Sequence, residues 1–86
     1  MTTVMVFHEV DDVDHWVQST KREEFFGPLG MTVRTFVDPD KTNRVGLIAE
    51  VPDMESLLTA LASAAAADAM RSDGVRPETM VMLVES

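Results

Sequence analysis

The sequence contains no cysteine and no tyrosine, and it has only seven basic residues. Without cysteine the chain can form no disulfide, no thiolate metal site and no cysteine nucleophile, which fits a reducing compartment. Fifteen acidic residues bring the net charge to −8 and leave no basic stripe to follow a phosphate backbone or an anionic lipid surface. We therefore expect neither nucleic acid nor a membrane as a partner.

Long apolar segments are also missing. The alanine-rich stretch 60–69 is interrupted by Ser63 and Asp68 and is shorter than the roughly 20 residues of a membrane-spanning helix. The first five residues have no basic charge and begin no long apolar core, so we expect no signal peptide and a cytoplasmic location. A chain of 86 residues, 45% hydrophobic and 26% charged, is typical of one globular domain, here residues 1–86.

The hydrophobic pattern predicts four strands and two helices in the order βαββαβ. Val13, Trp16, Val17 and Thr20 have helical spacing, which predicts a first helix that ends with Lys21, Arg22, Glu23 and Glu24. Pro52-Asp53 begins a second helix that runs through the alanine-rich stretch to Gly74. The predicted strands are residues 4–10, 31–37, 44–51 and 79–84. This order is that of the ferredoxin-like, split βαβ fold, an α+β fold with a four-stranded antiparallel sheet. The first and third strands should be central, and the second should lie at an edge.

The strands carry apolar side chains on both faces. Two helices cover only one face of a four-stranded sheet, so a monomer should present a polar second face. An uncovered apolar face would exceed the few hundred Å² that monomers usually expose. We therefore expect a homodimer in which two copies pack sheet to sheet around a two-fold axis.

Several local features resemble the dimeric α/β barrel superfamily, ferredoxin-like proteins whose two sheets close into one barrel. The resemblance runs from Val4 to Val84 and rests on His8 and Val10 ahead of Asp12, Trp16 one turn into the first helix, the turn Asp38-Pro39-Asp40 and the helix start Val51-Pro52-Asp53. The superfamily includes antibiotic-biosynthesis-type monooxygenases, polyketide cyclases, heme-degrading enzymes, chlorite dismutase-like proteins and stress-responsive proteins. The tyrosine that some of the monooxygenases use is absent. The chain does not match the heme-degrading members, because its one asparagine, Asn43, lies in the hairpin turn.

The resemblance implies a cavity between the helices and the sheet, and three residues of the first βα unit are candidates for its wall. His8 could act as a general acid or base or orient a substrate carbonyl, or it could bond a backbone carbonyl at the strand end. Trp16 could contact an aromatic substrate, anchor the core, or do both. His15 could contact substrate from beside Trp16 or lie at the surface.

Arg34 completes the candidate set. It could hold a substrate carboxylate or enolate, pair with Glu50 across the hairpin, or remain a solvated charge on an edge strand. His8 and His15 could share a metal with Glu9 or Asp12, but two histidines seven positions apart match no known ligand pattern, so we expect no metal site.

No phosphate-binding loop, nucleophile elbow, HExxH motif or flavin fingerprint occurs, so we expect no cofactor. Catalysis would then depend on the substrate's own reactivity and on its positioning. The sequence therefore favours a small-molecule-binding protein, a cofactor-independent monooxygenase or cyclase acting on an aromatic or polyketide-like metabolite. His8 would be catalytic, and Trp16, Arg34 and His15 would bind substrate. The alternative is a non-catalytic dimer, stress-responsive, ligand-binding or protein-binding.

Overall fold

The structure, a computed structural model, describes residues 1–86 as one antiparallel sheet with short helices. The elements are β1 (Thr2–Val10), α1 (Val13–Gln18), α2 (Lys21–Phe26), a 3-10 turn (Gly27–Leu29), β2 (Thr32–Val37), β3 (Arg44–Val51), α3 (Met54–Leu61), α4 (Ala64–Ser72) and β4 (Val75–Val84). The strand order is β2-β3-β1-β4, with every neighbouring pair antiparallel. The predicted ferredoxin-like α+β fold is confirmed, with β1 and β3 central and β2 at an edge.

Each of the two predicted helices is split in two, so the prediction of continuous helices was wrong. The first is interrupted at Ser19 and Thr20, and the second at Ala62 and Ser63. The Ser63 hydroxyl accepts a hydrogen bond from the backbone N–H of Ala66 at 3.2 Å, because serine caps a new helix more favourably than it continues an old one. The longest helix has nine residues, and none could span a lipid bilayer.

The ends of the helices follow the predicted signals. The Asp12 carboxylate accepts from His15 N–H at 3.2 Å, and the Asp53 carboxylate accepts from Ser56 N–H at 2.7 Å, so both aspartates are N-caps. Gly74 has a φ of 71°, the left-handed conformation that ends α4 and turns the chain into β4. The two caps and Gly74 therefore set the points at which the chain passes between a helix and a strand of the sheet.

The helices cover one face of the sheet and leave the other uncovered. Alternate residues of the central strands are buried under the helices, where they form the main core with Met31 and Leu57: Val4, Val6, Leu47, Ala49 and Val51. On the uncovered face, Phe7 is 44% exposed, Phe36 48% and Leu83 52%. Successive side chains along a strand point to opposite faces, so the position of each residue decides whether its side chain lies under the helices or on the uncovered face.

Candidate functional site

A cavity of about 80 Å³ lies between the helices and the sheet. Its wall is mainly apolar and comes from the sheet, α2, α3 and α4: Val4, Val6, Leu47, Ala49, Val75, Met80, Met82, Phe25, Phe26, Leu57, Leu61, Ala66, Ala69 and Met70. The polar side chains of the wall belong to His8, Arg22 and Asp73, and they are grouped around Trp16. The cavity therefore combines a large apolar surface with one small polar region.

His8 is the candidate catalytic residue of this polar region. Its position on β1 places it on the helix-covered face, where it is only 5% exposed. Its ring meets Trp16 edge to face, with centroids 5.7 Å apart, and its Nδ1 is buried without a hydrogen-bond partner. Burial lowers the pKa of His8 below 6.5, and the positive charge of Arg22 lowers it further. The backbone of Glu9 raises the pKa, but by less than burial lowers it. A neutral imidazole at physiological pH can accept a proton or a hydrogen bond.

Trp16 occupies both of the places that the sequence suggested for it. The side chain is 1% exposed and forms a second, smaller core with Val10 and Val45. The same side chain lines the cavity beside His8. Its contact with a substrate stays a prediction.

Arg22 and Asp73 form a largely buried ion pair next to Trp16, with side chains 12% and 4% exposed. The Arg22 Nη1 lies 3.2 Å from Asp73 Oδ2, and its Nη2 donates to the Trp16 carbonyl at 2.6 Å. The guanidinium carbon lies 4.1 Å from the centre of the Trp16 ring, within cation–π range. Ser19 Oγ donates to Asp73 Oδ1 at 2.5 Å, so both charged groups are satisfied by neighbours.

The sequence analysis missed this ion pair. Its partners are 51 positions apart, and no spacing rule joins them. One signal was available: if the first helix is interrupted at Ser19, a new helix from Lys21 places Arg22, Phe25 and Phe26 at i, i+3 and i+4 on one face. The continuous helix predicted from the sequence hid that pattern.

Arg34 does not join the cavity. It pairs with Ile48 on the uncovered face of the sheet, whereas its neighbours Val33 and Thr35 point towards the helices. The alternation of side chains along β2 therefore separates Arg34 from His8 by the thickness of the sheet. Arg34 therefore lies outside the cavity wall, and its role in binding a substrate stays a prediction.

His15 is also outside the cavity wall. It is exposed on α1, and its Nε2 lies 2.8 Å from the Ser72 carbonyl, which ties α1 to the end of α4. The side chain is directed to the Ser72 carbonyl and not to the cavity, and its contact with a substrate stays a prediction. His8 and His15 therefore do not converge, and no three histidine, aspartate or glutamate side chains are grouped closely enough to hold a metal ion.

Solved structures with the same fold include proteins named as monooxygenases. An antibiotic biosynthesis monooxygenase matches 100% of this chain and 97% of its own, with a TM-score of 0.66 and 14% identity. A protein from Deinococcus radiodurans named after the same type of monooxygenase matches 100% of this chain and 91% of its own, with a TM-score of 0.61 and 12% identity. A protein from Arabidopsis thaliana matches 100% of this chain and 94% of its own, with a TM-score of 0.62 and 5% identity.

Sequence comparison adds no closer relative. No known family profile matches the sequence, and no curated protein is significantly similar to it. The likeness therefore lies in the three-dimensional structure, at identities that show a shared fold and not a shared activity. The chain has the ferredoxin-like fold found in antibiotic-biosynthesis-type monooxygenases.

Proposed function

We propose that this protein binds a neutral, largely apolar aromatic or polyketide-like molecule in the cavity and acts on it as a cofactor-independent monooxygenase or cyclase. The observation that carries the proposal is the buried Nδ1 of His8, which has no hydrogen-bond partner in a wall whose other charged or polar side chains, Arg22 and Asp73, bond one another. An unpaired polar group of this kind costs about 1–3 kcal/mol, so a ligand that supplies a hydroxyl or carbonyl group would be bound preferentially.

The charges of the cavity favour a neutral ligand. Arg22 and Asp73 neutralise one another, and their remaining hydrogen bonds go to Ser19 and to the Trp16 carbonyl. No charge is therefore left over to compensate a carboxylate or a phosphate in the apolar surroundings. A ring system with one hydroxyl or ketone fits this wall better than an anionic metabolite does.

A monooxygenase and a cyclase could share the first step. Neutral His8 would remove a proton from an activated C–H or O–H group of the ligand and become an imidazolium, whose positive charge would balance that of the enolate or phenolate left behind. In the oxygenase, a ring CH₂ then reacts with O₂ to give C=O and one water. In the cyclase, the enolate carbon attacks a carbonyl of the same molecule. Neither route requires a bound cofactor.

Turnover of anthrone, whose ring CH₂ is oxidised to a ketone, tests the oxygenase route. We expect the protein to accelerate both O₂ uptake and anthraquinone formation, and His8→Ala to lose about 10²- to 10⁴-fold of that rate, the usual contribution of a general base. His15→Ala is the matched control, since His15 lies outside the cavity. A His8→Ala variant that remains folded and keeps the full rate would refute the role of His8.

One observation favours a non-catalytic ligand-binding protein as the second candidate. His8 carries the polar atom of the cavity that still lacks a partner, whereas Arg22 and Asp73 are already engaged. A reaction that must return a proton at a second position would need another free group. Saturable binding of anthrone without turnover, under conditions in which O₂ is available, would support this candidate over the enzyme.

We also propose that two copies pair through the uncovered sheet face. Its exposed side chains include Met5, Phe7, Phe36, Val81 and Leu83, and a second copy would remove them from water. Val81→Lys should therefore shift the protein to a monomer in sedimentation equilibrium. Val37→Lys is the matched control, because Val37 is also 51% exposed but lies on the other face of the sheet. A wild-type monomer at low micromolar concentration would contradict the proposal.

A further inference from the structure

The cavity is too small for the ligand class proposed above. Its volume is about 80 Å³. An engineered apolar cavity that binds benzene measures about 150 Å³, and a fused-ring molecule needs more than benzene does. A ligand of that class can therefore be enclosed only if part of the wall moves outwards.

Of the helices in the wall, α2 is the one with no buried residue and no side-chain cap. The sheet strands are joined by hydrogen-bond ladders, and α3 and α4 contain the buried residues Leu57 and Ala66 and have side-chain caps. In contrast, α2 has six residues, none of them buried, and its N-cap Thr20 makes no side-chain hydrogen bond. It is flanked by the interruption at Ser19 and, after the 3-10 turn, by Gly30 at a φ of 73°. The chain can therefore bend on either side of α2.

Two kinds of contact keep α2 against the rest of the molecule. Phe25 and Phe26 are half-buried and extend into the cavity wall, with their rings edge to face at 4.9 Å. The polar contacts are those of Arg22: its ion pair with Asp73, which is 3% exposed at the end of α4, and the hydrogen bond from its Nη2 to the Trp16 carbonyl. Apolar side chains can exchange protein contacts for contacts with an apolar ligand, but a ligand of that kind cannot replace the ion pair.

We infer that α2 is the movable wall through which ligand enters the cavity, and that Arg22 is the positioning residue which, through Asp73, holds this wall closed. The inference rests on the proposed function in that it requires a ligand larger than the cavity of about 80 Å³. Entry breaks the ion pair and moves Phe25 and Phe26 outwards. Closure restores the pair and returns the guanidinium to its place over Trp16, beside His8.

Stopped-flow fluorescence with N-phenyl-1-naphthylamine, a neutral apolar probe, tests this inference. Trp16 is the only tryptophan and lines the cavity, so energy transfer from it reports arrival of the probe. Arg22→Met keeps the apolar part of the side chain and removes the ion pair. Because hydrogen bonds to charged groups are worth about tenfold or more in an equilibrium, we expect association and dissociation both to accelerate about tenfold, with a smaller change in Kd.

Arg71→Met is the matched control. Arg71 pairs with Asp68 at 3.1 Å on the exposed surface of α4, so its loss removes an ion pair that does not hold α2. The rates of this variant should equal those of the wild type. Asp73→Asn provides a second test if Arg22→Met fails to fold, since the amide keeps an oxygen for the Ser19 hydroxyl.

Amide hydrogen exchange separates a local role of Arg22 from a general loss of stability. Exchange over residues 21–26 should accelerate in Arg22→Met or Asp73→Asn, while α3 keeps the wild-type rate. Probe rates and α2 exchange that match the wild type in a folded variant would overturn the inference and leave the proposed function standing. A wild-type protein that does not bind the probe at all would overturn both.

Discussion

Replacing His8 with leucine should make the protein more stable while removing its proposed chemistry. The buried Nδ1 has no partner, and the leucine carries no polar atom that needs one. Removing an unsatisfied buried group returns about 1–3 kcal/mol. Leucine is close to histidine in volume, and the neighbouring cavity of about 80 Å³ limits crowding, so little of this gain should be lost to overpacking. We expect a net gain of about 1–2 kcal/mol.

In a domain of this size, each kcal/mol gained in the free energy of unfolding raises Tm by about 4–8 °C. Circular dichroism melting and urea unfolding of the ligand-free protein measure it. His15→Leu is the control: it removes an exposed imidazole and its bond to Ser72, so its stability should be unchanged or lower by about 0.5–1.5 kcal/mol. A clear loss of stability in His8→Leu would refute the argument, because it would mean that the protein itself satisfies the imidazole.

Three further predictions concern pH and the backbone. Because burial lowers the pKa of His8, the unfolded chain binds a proton below pH 6.5 that the folded chain does not. The free energy of unfolding should therefore decrease as the pH is lowered through that range, by up to about 1.4 kcal/mol per pH unit. Urea unfolding at several pH values should give a smaller slope for His8→Leu than for the wild type, and equal slopes would contradict this. Ser63→Ala removes the cap of α4 and should cost about 1 kcal/mol in thermal unfolding; an unchanged Tm would show that the cap contributes nothing. Gly74→Ala places a Cβ on a residue at a φ of 71°, 3.4 Å from Asp11 Cβ. It should lower the free energy of unfolding by about 1–2 kcal/mol in the same thermal melts, and an unchanged Tm would show that the turn relaxes around the new methyl group.

The sequence predicted the sheet because its signals are local. The alternation along β1 and β3, the caps Asp12 and Asp53, and the stop at Gly74 each act within a few residues, and together they specify the order of elements. Ser19 and Ser63 were misjudged because a serine in a helical pattern can either continue the helix or interrupt it by a side-chain hydrogen bond. Ser63 caps α4, and Ser19 ends α1 and donates its hydroxyl to Asp73.

The site could be predicted only in part. His8 and Trp16 belong to one βα unit, so strand alternation and helical spacing bring them together. The pair of Arg22 with Asp73 depends on how α2 packs against α4, which no local pattern contains. Arg34 was placed in the cavity by its chemistry alone, and the alternation of β2 puts it on the opposite face.

The central claim is that the Nδ1 of His8 is the polar contact for a neutral ligand in the cavity. The most direct measurement is the ¹⁵N chemical shift of both histidine rings during a titration with 1-naphthol, a neutral hydroxyaromatic compound. The claim predicts that the Nδ1 resonance of His8 moves and saturates while the resonances of His15 stay in place. Binding that saturates without moving His8, or that moves His15 instead, would contradict it.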